Sequence, residues 1–151
     1  MKKRFLVTAV VALLSGAVLT SCLTLPEITE SGNLRQFGSL MIELESSVYF
    51  SHQTAQWRAR RAGWINAVNS AYTLDRMKDL LIEFETNVNY SAQINTWPSR
   101  RDGWINRVRS AYTLNALGEA MIECETSIML NAQAPNWGTA RNQWIARVRA
   151  L

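Results

Sequence analysis

The chain has 151 residues, of which 48% are hydrophobic and 19% charged, with 16 basic and 12 acidic side chains. Three of the basic residues, Lys2, Lys3 and Arg4, stand at the start of the chain, so the part after residue 21 carries 13 basic residues against 12 acidic ones. A nucleic-acid partner requires a concentrated basic face, and this near-neutral balance argues against one.

The first 22 residues have the layout of a secretory signal. A positive stretch is followed by an apolar run from Phe5 to Leu19 and then by Thr20, Ser21 and Cys22. The run is about fifteen residues long, whereas a helix that spans a bilayer takes roughly 20. A cleaved signal peptide over residues 1–21 is therefore favoured over a permanent membrane span.

The end of this segment, Leu19-Thr20-Ser21-Cys22, resembles the lipobox of bacterial lipoproteins. The resemblance covers residues 1–22 and implies that Cys22 is acylated, becomes the first residue after cleavage and holds the protein to membrane lipid. It also implies a location in the cell envelope. Leu23, in place of aspartate after the cysteine, favours the outer membrane, facing the periplasm or the surface, if the host is Gram-negative.

Residues 22–32 contain Pro26, Ser31 and Gly32 and show no helical periodicity. This composition predicts a tether between the lipid anchor and the body. The remaining residues, 33–151, suit a single domain.

The domain contains three copies of one unit, spaced forty residues apart. Residues 57–74 recur as 97–114, and a looser third copy follows at 137–148. A period near 40 is typical of helical repeats. The units are residues 33–72, 73–112 and 113–151.

Each unit reads as two helices. The first is predicted to begin after an N-cap residue, Asn33, Thr73 or Thr113, and its apolar residues step by three and four. Polar residues at 51–56, 91–96 and 131–136 indicate a turn before the second helix. The fold class is therefore all-α, with three tandem helical hairpins (six helices) forming either a short α-solenoid or a compact bundle.

Two glycines stand inside the second helices, at Gly63 and Gly103, and the third copy has Gln143 there. Glycine within a helix costs roughly 0.5–1 kcal/mol relative to alanine. Its recurrence predicts a close backbone contact between each of these helices and the next repeat.

Arginine recurs on the apolar face of the second helices, and glutamate recurs beside the apolar stripe of the first helices. A buried charge requires a partner, because breaking a buried pair costs around 3–5 kcal/mol. We therefore expect three structural ion pairs: Glu45 with Arg61, Glu85 with Arg101, and Glu125 with Arg141. The alternative is that these arginines line a groove and bind a ligand carboxylate or phosphate.

Two other repeated sets are candidates for an interaction surface. Glu43, Glu83 and Glu123 point away from the apolar stripe and are either solvated or shared by a partner. Tryptophans occur in pairs seven residues apart, and packing in the core is the simpler explanation for them. The first of each pair, near a helix start, is expected to be the more exposed: Trp57, Trp97 and Trp137.

No catalytic constellation is evident. His52 is the only histidine, lies in a polar turn and has no counterpart in the other copies, so no catalytic triad or histidine metal site is expected. Cys124 aligns with Leu44 and Phe84 and is predicted to be a core residue. We expect no cofactor and no metal.

Three functions remain open. The leading hypothesis is a non-enzymatic envelope lipoprotein that acts as a helical-repeat interaction or assembly module for another envelope protein. The alternative is a lipoprotein that binds glycan or peptidoglycan through its repeated tryptophans. The third is a cell-wall hydrolase that uses one of the repeated glutamates.

Overall fold

The computed structural model describes residues 25–88 and 90–151. Six α-helices lie within them: α1 (Leu25–Ser46), α2 (Trp57–Asn69), α3 (Leu74–Thr86), α4 (Trp97–Ser110), α5 (Leu114–Thr126) and α6 (Trp137–Arg149). Short 3-10 turns join the helices of each hairpin, at Phe50–His52, Tyr90–Ala92 and Leu130–Ala132. The described residues as a whole form three isolated β-bridges but no strand. The predicted all-α fold of three hairpins is confirmed.

Helix α1 begins earlier than the sequence predicts. It starts at Leu25, so the predicted tether is helical over residues 25–32 and Asn33 does not cap a helix. Pro26 lies in the first turn, where its missing N–H is not needed. The Asn33 side chain instead donates a hydrogen bond to the carbonyl oxygen of Leu151 at 3.1 Å. The predicted signal peptide and Cys22 lie outside the described residues.

Helices α3 and α5 begin as expected. The Thr73 hydroxyl accepts a hydrogen bond from the backbone N–H of Arg76, and the Thr113 hydroxyl accepts one from that of Ala116, both at 3.2 Å. Both threonines have extended backbone angles, which is the usual N-cap conformation.

The hairpins close into a ring, which makes the fold a compact bundle and not a solenoid. The inner helices α1, α3 and α5 contact one another, and each outer helix packs between the inner helix of its own hairpin and that of the next. For α6 the next inner helix is α1. The third repeat therefore meets the first, and every repeat has two neighbours.

Equivalent hydrogen bonds mark the three joints between repeats. The indole N–H of Trp64 donates to the carbonyl oxygen of Leu80 at 3.0 Å, and that of Trp104 to Ala120 at 2.8 Å. At the closing joint, Trp144 donates to Leu40 at 2.9 Å across 104 residues of sequence. The ring is thus closed by the same contact that joins its consecutive repeats.

The turns form a second ring at one end of the bundle. Each turn pairs with the residues that follow the inner helix of the next repeat, through the bridges Gln53–Val88, Gln93–Ile128 and Gln133–Val48. At the closing joint, Tyr49 N donates to Ala132 O at 2.8 Å and Ala134 N donates to Ser47 O at 2.6 Å. Backbone groups in these turns thus find partners that a lone hairpin lacks.

The expectation for Gly63 and Gly103 is wrong. A Cβ atom added to Gly63 would have no neighbour within 4 Å, and one on Gly103 would meet only the Arg107 side chain at 3.7 Å. Both glycines lie on the exposed side of their helices, because they are rotated well away from the tryptophan stripe.

The close contacts involve glycines of the inner helices instead. A Cβ on Gly38 would lie 2.9 Å from Cγ1 of Val68, and one on Gly118 would lie 3.0 Å from Cγ1 of Val148. In both cases the outer helix of the same hairpin packs directly against the inner-helix backbone. At each position an added Cβ atom would require the valine to shift, although the equivalent residue of the second repeat is Lys78.

Substitution by alanine is expected to affect stability differently at Gly63 and at Gly38. Gly63→Ala is expected to raise the free energy of unfolding by about 0.5–1 kcal/mol, because it removes the helical cost of glycine without a clash. Gly38→Ala is the matched control and is expected to gain nothing, since its Cβ overlaps Val68. Urea unfolding followed by circular dichroism measures both, and a destabilised Gly63→Ala variant would contradict the assignment.

Candidate functional site

Three carboxylates are buried near the ends of the inner helices. Glu45 is 0% exposed, and Glu85 and Glu125 are each 1% exposed. A carboxylate in such a place is stable only when charge partners and hydrogen-bond donors surround it.

The first partner of each carboxylate is an arginine of the same hairpin. The Nε of Arg61, Arg101 and Arg141 lies 2.8 Å from a carboxylate oxygen of Glu45, Glu85 and Glu125 respectively. The three pairs expected from the sequence are therefore present. The hydrogen bond to Glu45 raises the pKa of the Arg61 guanidinium above its already high ordinary value.

Two further donors complete each cluster. In the first repeat, Glu45 Oε1 accepts from the Trp57 indole N–H at 2.9 Å and from Gln53 Nε2 at 3.3 Å. The other repeats show the same pair of contacts, through Trp97 and Gln93 on Glu85 and through Trp137 and Gln133 on Glu125. The glutamine, tryptophan and arginine stand 8, 12 and 16 residues after the glutamate in every copy.

The expectation that Trp57, Trp97 and Trp137 are the more exposed tryptophans is wrong. They are 0%, 0% and 4% exposed. Each indole N–H is committed to a buried carboxylate, and each ring packs edge to face on the second tryptophan of its helix, with centroids 5.3–5.6 Å apart. Too little of each ring is exposed for a sugar to stack across its face, and the Arg100 guanidinium already lies 5.8 Å from the centre of the Trp97 ring.

The other repeated glutamates lie at the joints between repeats and are half-buried. Glu83 forms an ion pair with Arg60 of the preceding repeat. Glu123 pairs with Arg100 and Arg107, at 2.7 and 2.6 Å. Glu43 pairs with Arg147 at 2.5 Å, across the closing joint. The candidate surface residues Glu43, Glu83 and Glu123 thus take part in contacts between neighbouring repeats.

The closing joint differs from the other two. Ala140 stands where Arg60 and Arg100 stand in the first two repeats. A cavity of about 190 Å³ lies at this place, lined by Glu43, Ala140 and their neighbours. A shallower groove of about 520 Å³ runs along α2, lined by Arg58, Arg61, Ala62, Ile65 and Asn66.

The residues considered for catalysis are not brought together. Cys124 is 1% exposed, as its core position predicts, and His52 is half-buried in the first turn. Within residues 25–88 and 90–151, no three histidine, cysteine, aspartate or glutamate side chains are grouped as a metal site.

Comparison with known proteins identified no matching family model, no matching curated protein and no matching solved structure.

A double-mutant cycle tests the ion pair of the second repeat. Arg101→Leu is expected to lower the free energy of unfolding by about 3 kcal/mol, because it leaves the buried Glu85 carboxylate without its charge partner. Adding Glu85→Leu removes that stranded charge, so the double variant is expected to lose less than the sum of the single losses.

Urea unfolding of the four proteins measures the coupling, and strictly additive losses would contradict the pairing. The Glu119–Arg149 pair, in which both side chains are about half exposed, is the matched control. Little coupling is expected there, since solvent screens exposed pairs.

Burial, together with the charges of Glu85 and Glu125, raises the pKa of the Cys124 thiol well above its ordinary value. In the Cys22→Ser variant, Cys124 is the only cysteine. We expect the folded variant to resist a thiol reagent at neutral pH and the variant unfolded in urea to react with it. Absorbance of the released chromophore reports the reaction, and rapid native labelling would contradict the burial of this thiol.

Proposed function

We propose that this chain is a membrane-anchored, non-enzymatic lipoprotein of the bacterial cell envelope, which acts as an interaction or assembly module for another envelope protein. Acylated Cys22 is the anchor and the closed bundle is the body. The observation that carries the proposal is that tyrosine and arginine side chains are exposed at the end of the bundle where α1 begins.

Helix α1 is longer than the other inner helices. It has 22 residues against 13 in α3, and the two end at equivalent positions, so α1 is nine residues longer at its N-terminal end. At 1.5 Å per residue this extension is about 13 Å long. It leads back towards Cys22, so this is the end of the bundle that an acylated Cys22 would bring nearest to lipid.

The same end carries exposed tyrosines and arginines. Tyr72 and Tyr112, at the connections between repeats, are 80% and 88% exposed. Arg35 in α1 and Arg76 in the first turn of α3 are also exposed. Tyrosine is favoured at the level of lipid headgroups, and basic residues are attracted to anionic lipids. This composition supports an orientation with the tyrosine end at the membrane.

The competing functions gain less support. A glycan binder would need accessible aromatic faces, and the six tryptophan rings are at most 4% exposed. A hydrolase would need a carboxyl group able to give up or take a proton, and the repeated glutamates are engaged in ion pairs in every repeat. No described helix has both the length and the apolar character to cross a membrane.

The anchor is tested in the full chain expressed in a bacterium. Mass spectrometry of protein from the membrane fraction is expected to find a mature chain that begins at Cys22 and carries fatty acyl groups. Cys22→Ser is the matched control and is expected to lose both processing and acylation. An unacylated wild-type N-terminus would refute the proposed anchor.

Orientation is tested with a photo-crosslinking residue placed in the membrane-bound protein at position 112 or at position 130. Leu130 is 73% exposed and lies in the last turn, at the opposite end of the bundle. Lipid adducts are expected from position 112 alone, and lipid adducts from position 130 alone would reverse the proposed orientation.

A further inference from the structure

The three joints between repeats share one position that accepts an arginine. At the first joint Arg60 lies against Glu83, and at the second joint Arg100 lies against Glu123. In each pair the arginine stands 23 residues before the glutamate. The same step around the ring pairs position 140 with Glu43, and position 140 is alanine.

The place of the missing arginine is open. The cavity there has a volume of about 190 Å³, and Glu43, Ser47, Ala134, Trp137 and Ala140 are among its lining residues. It is smaller than the roughly 300–1,000 Å³ of typical small-molecule sites, which suits one side chain better than a larger ligand.

The cavity retains the groups that hold an arginine at the second joint. There, Glu123 accepts hydrogen bonds from Arg100 and Arg107 together, while the Arg100 guanidinium lies 5.8 Å from the centre of the Trp97 ring. At the closing joint, Arg147 occupies the place of Arg107, and Trp137 occupies that of Trp97. Glu43 keeps 36% of its side chain exposed.

The groups that line the cavity are of the kind that binds a guanidinium. A carboxylate with one arginine already bound accepts a second at Glu123 of this same protein, and an aromatic wall favours a planar cation. Arginine is preferred to lysine, because its flat fork bonds carboxylates and stacks on rings.

We propose that the cavity between α6 and α1 binds the guanidinium group of an arginine side chain from a partner protein. The inference that the arginine comes from a partner protein rests on the proposed function, whereas the inference that a guanidinium binds rests on the geometry of the joints. Two exposed hydrophobic side chains, which lie close in sequence to lining residues of the cavity, favour a protein as the source. Tyr49 and Leu130 are 40% and 73% exposed, and they adjoin the backbone segments that pair Ser47 with Ala134.

Arginine surrounded by apolar contacts is a common energetic centre of protein interfaces. A partner chain that inserts an arginine beside Glu43 would also cover Tyr49 and Leu130. The closing joint would then acquire the second ion pair that is already present within the chain at Glu123.

The site is tested by titrating the full chain, purified in detergent, with N-acetyl-arginine N-methylamide. The probe is expected to bind in the millimolar range and to shift the indole N–H resonance of Trp137. The citrulline analogue has nearly the same shape without the charge and is expected to bind at least about tenfold more weakly, as the loss of a charged hydrogen bond predicts. Equal binding of the two compounds would overturn the proposal.

Two variants locate the site. Ala140→Arg restores the residue found at the other joints and is expected to abolish the shift while leaving the fold intact. Arg100→Ala opens the equivalent place beside Glu123 and is expected to create a second site, seen as a shift at Trp97. Binding that survives in Ala140→Arg would overturn the assignment to this cavity.

A third arm distinguishes a protein source from a free small molecule. Peptides with one arginine flanked by leucine are expected to bind more tightly than the arginine amide, and Leu130→Ser is expected to remove that gain. If the peptides bind no more tightly than the arginine amide, a protein source is refuted and the guanidinium site itself is not. These binding measurements do not depend on acylation at Cys22. They therefore remain valid if mass spectrometry refutes the proposed lipid anchor.

Discussion

A buried carboxylate needs hydrogen-bond donors in fixed directions. Every repeat contains one such carboxylate, at Glu45, Glu85 or Glu125. The donors come from the turn, the first helical turn and the second helical turn of the following outer helix. Satisfying one carboxylate therefore sets the path of the turn and the rotation of the outer helix together. That rotation directs the second tryptophan at a carbonyl oxygen of the next repeat, so a contact inside each hairpin determines the contact between hairpins.

The ring repeats this arrangement three times but does not repeat every surface residue. Among residues 25–88 and 90–151, Glu123 has two arginine partners, whereas Glu83 and Glu43 each have one. The buried clusters are alike because desolvation leaves them little choice of residue, while the exposed joints can lose an arginine at small cost. The repeats differ in the core, as at Leu44, Phe84 and Cys124, and also at the exposed joints, and only the differences at the joints are accessible to a partner.

Much of the fold could be predicted from the sequence. The forty-residue period gave the three hairpins, and helical rotation alone brought Glu45 to Arg61, because both residues belong to one local unit. The recurrence of glutamine at positions 53, 93 and 133 was a further signal for the cluster. Its meaning depended on the fold of the turn, which the sequence pattern does not describe.

The errors concern contacts between helices, which the residue pattern along a single helix does not describe. Trp57 appears exposed when its helix is considered alone, and neighbouring elements bury it. The tight packing at Gly38 arises from the approach of Val68 on the neighbouring helix, whereas no atom approaches Gly63 in this way. Closure of the ring depends on the angle between successive hairpins, which a repeated sequence leaves free.

Ring closure also constrains the order in which the protein can fold. The contacts that complete the ring join residues 104 and 118 positions apart, and contacts this distant in sequence form late because of the entropy of loop closure. Until Trp144 arrives, the carbonyl oxygen of Leu40 lacks its indole partner and one flank of α1 stays uncovered. If the chain is exported as proposed, crossing a membrane as an extended polymer, it cannot reach its final shape before its last repeat has emerged.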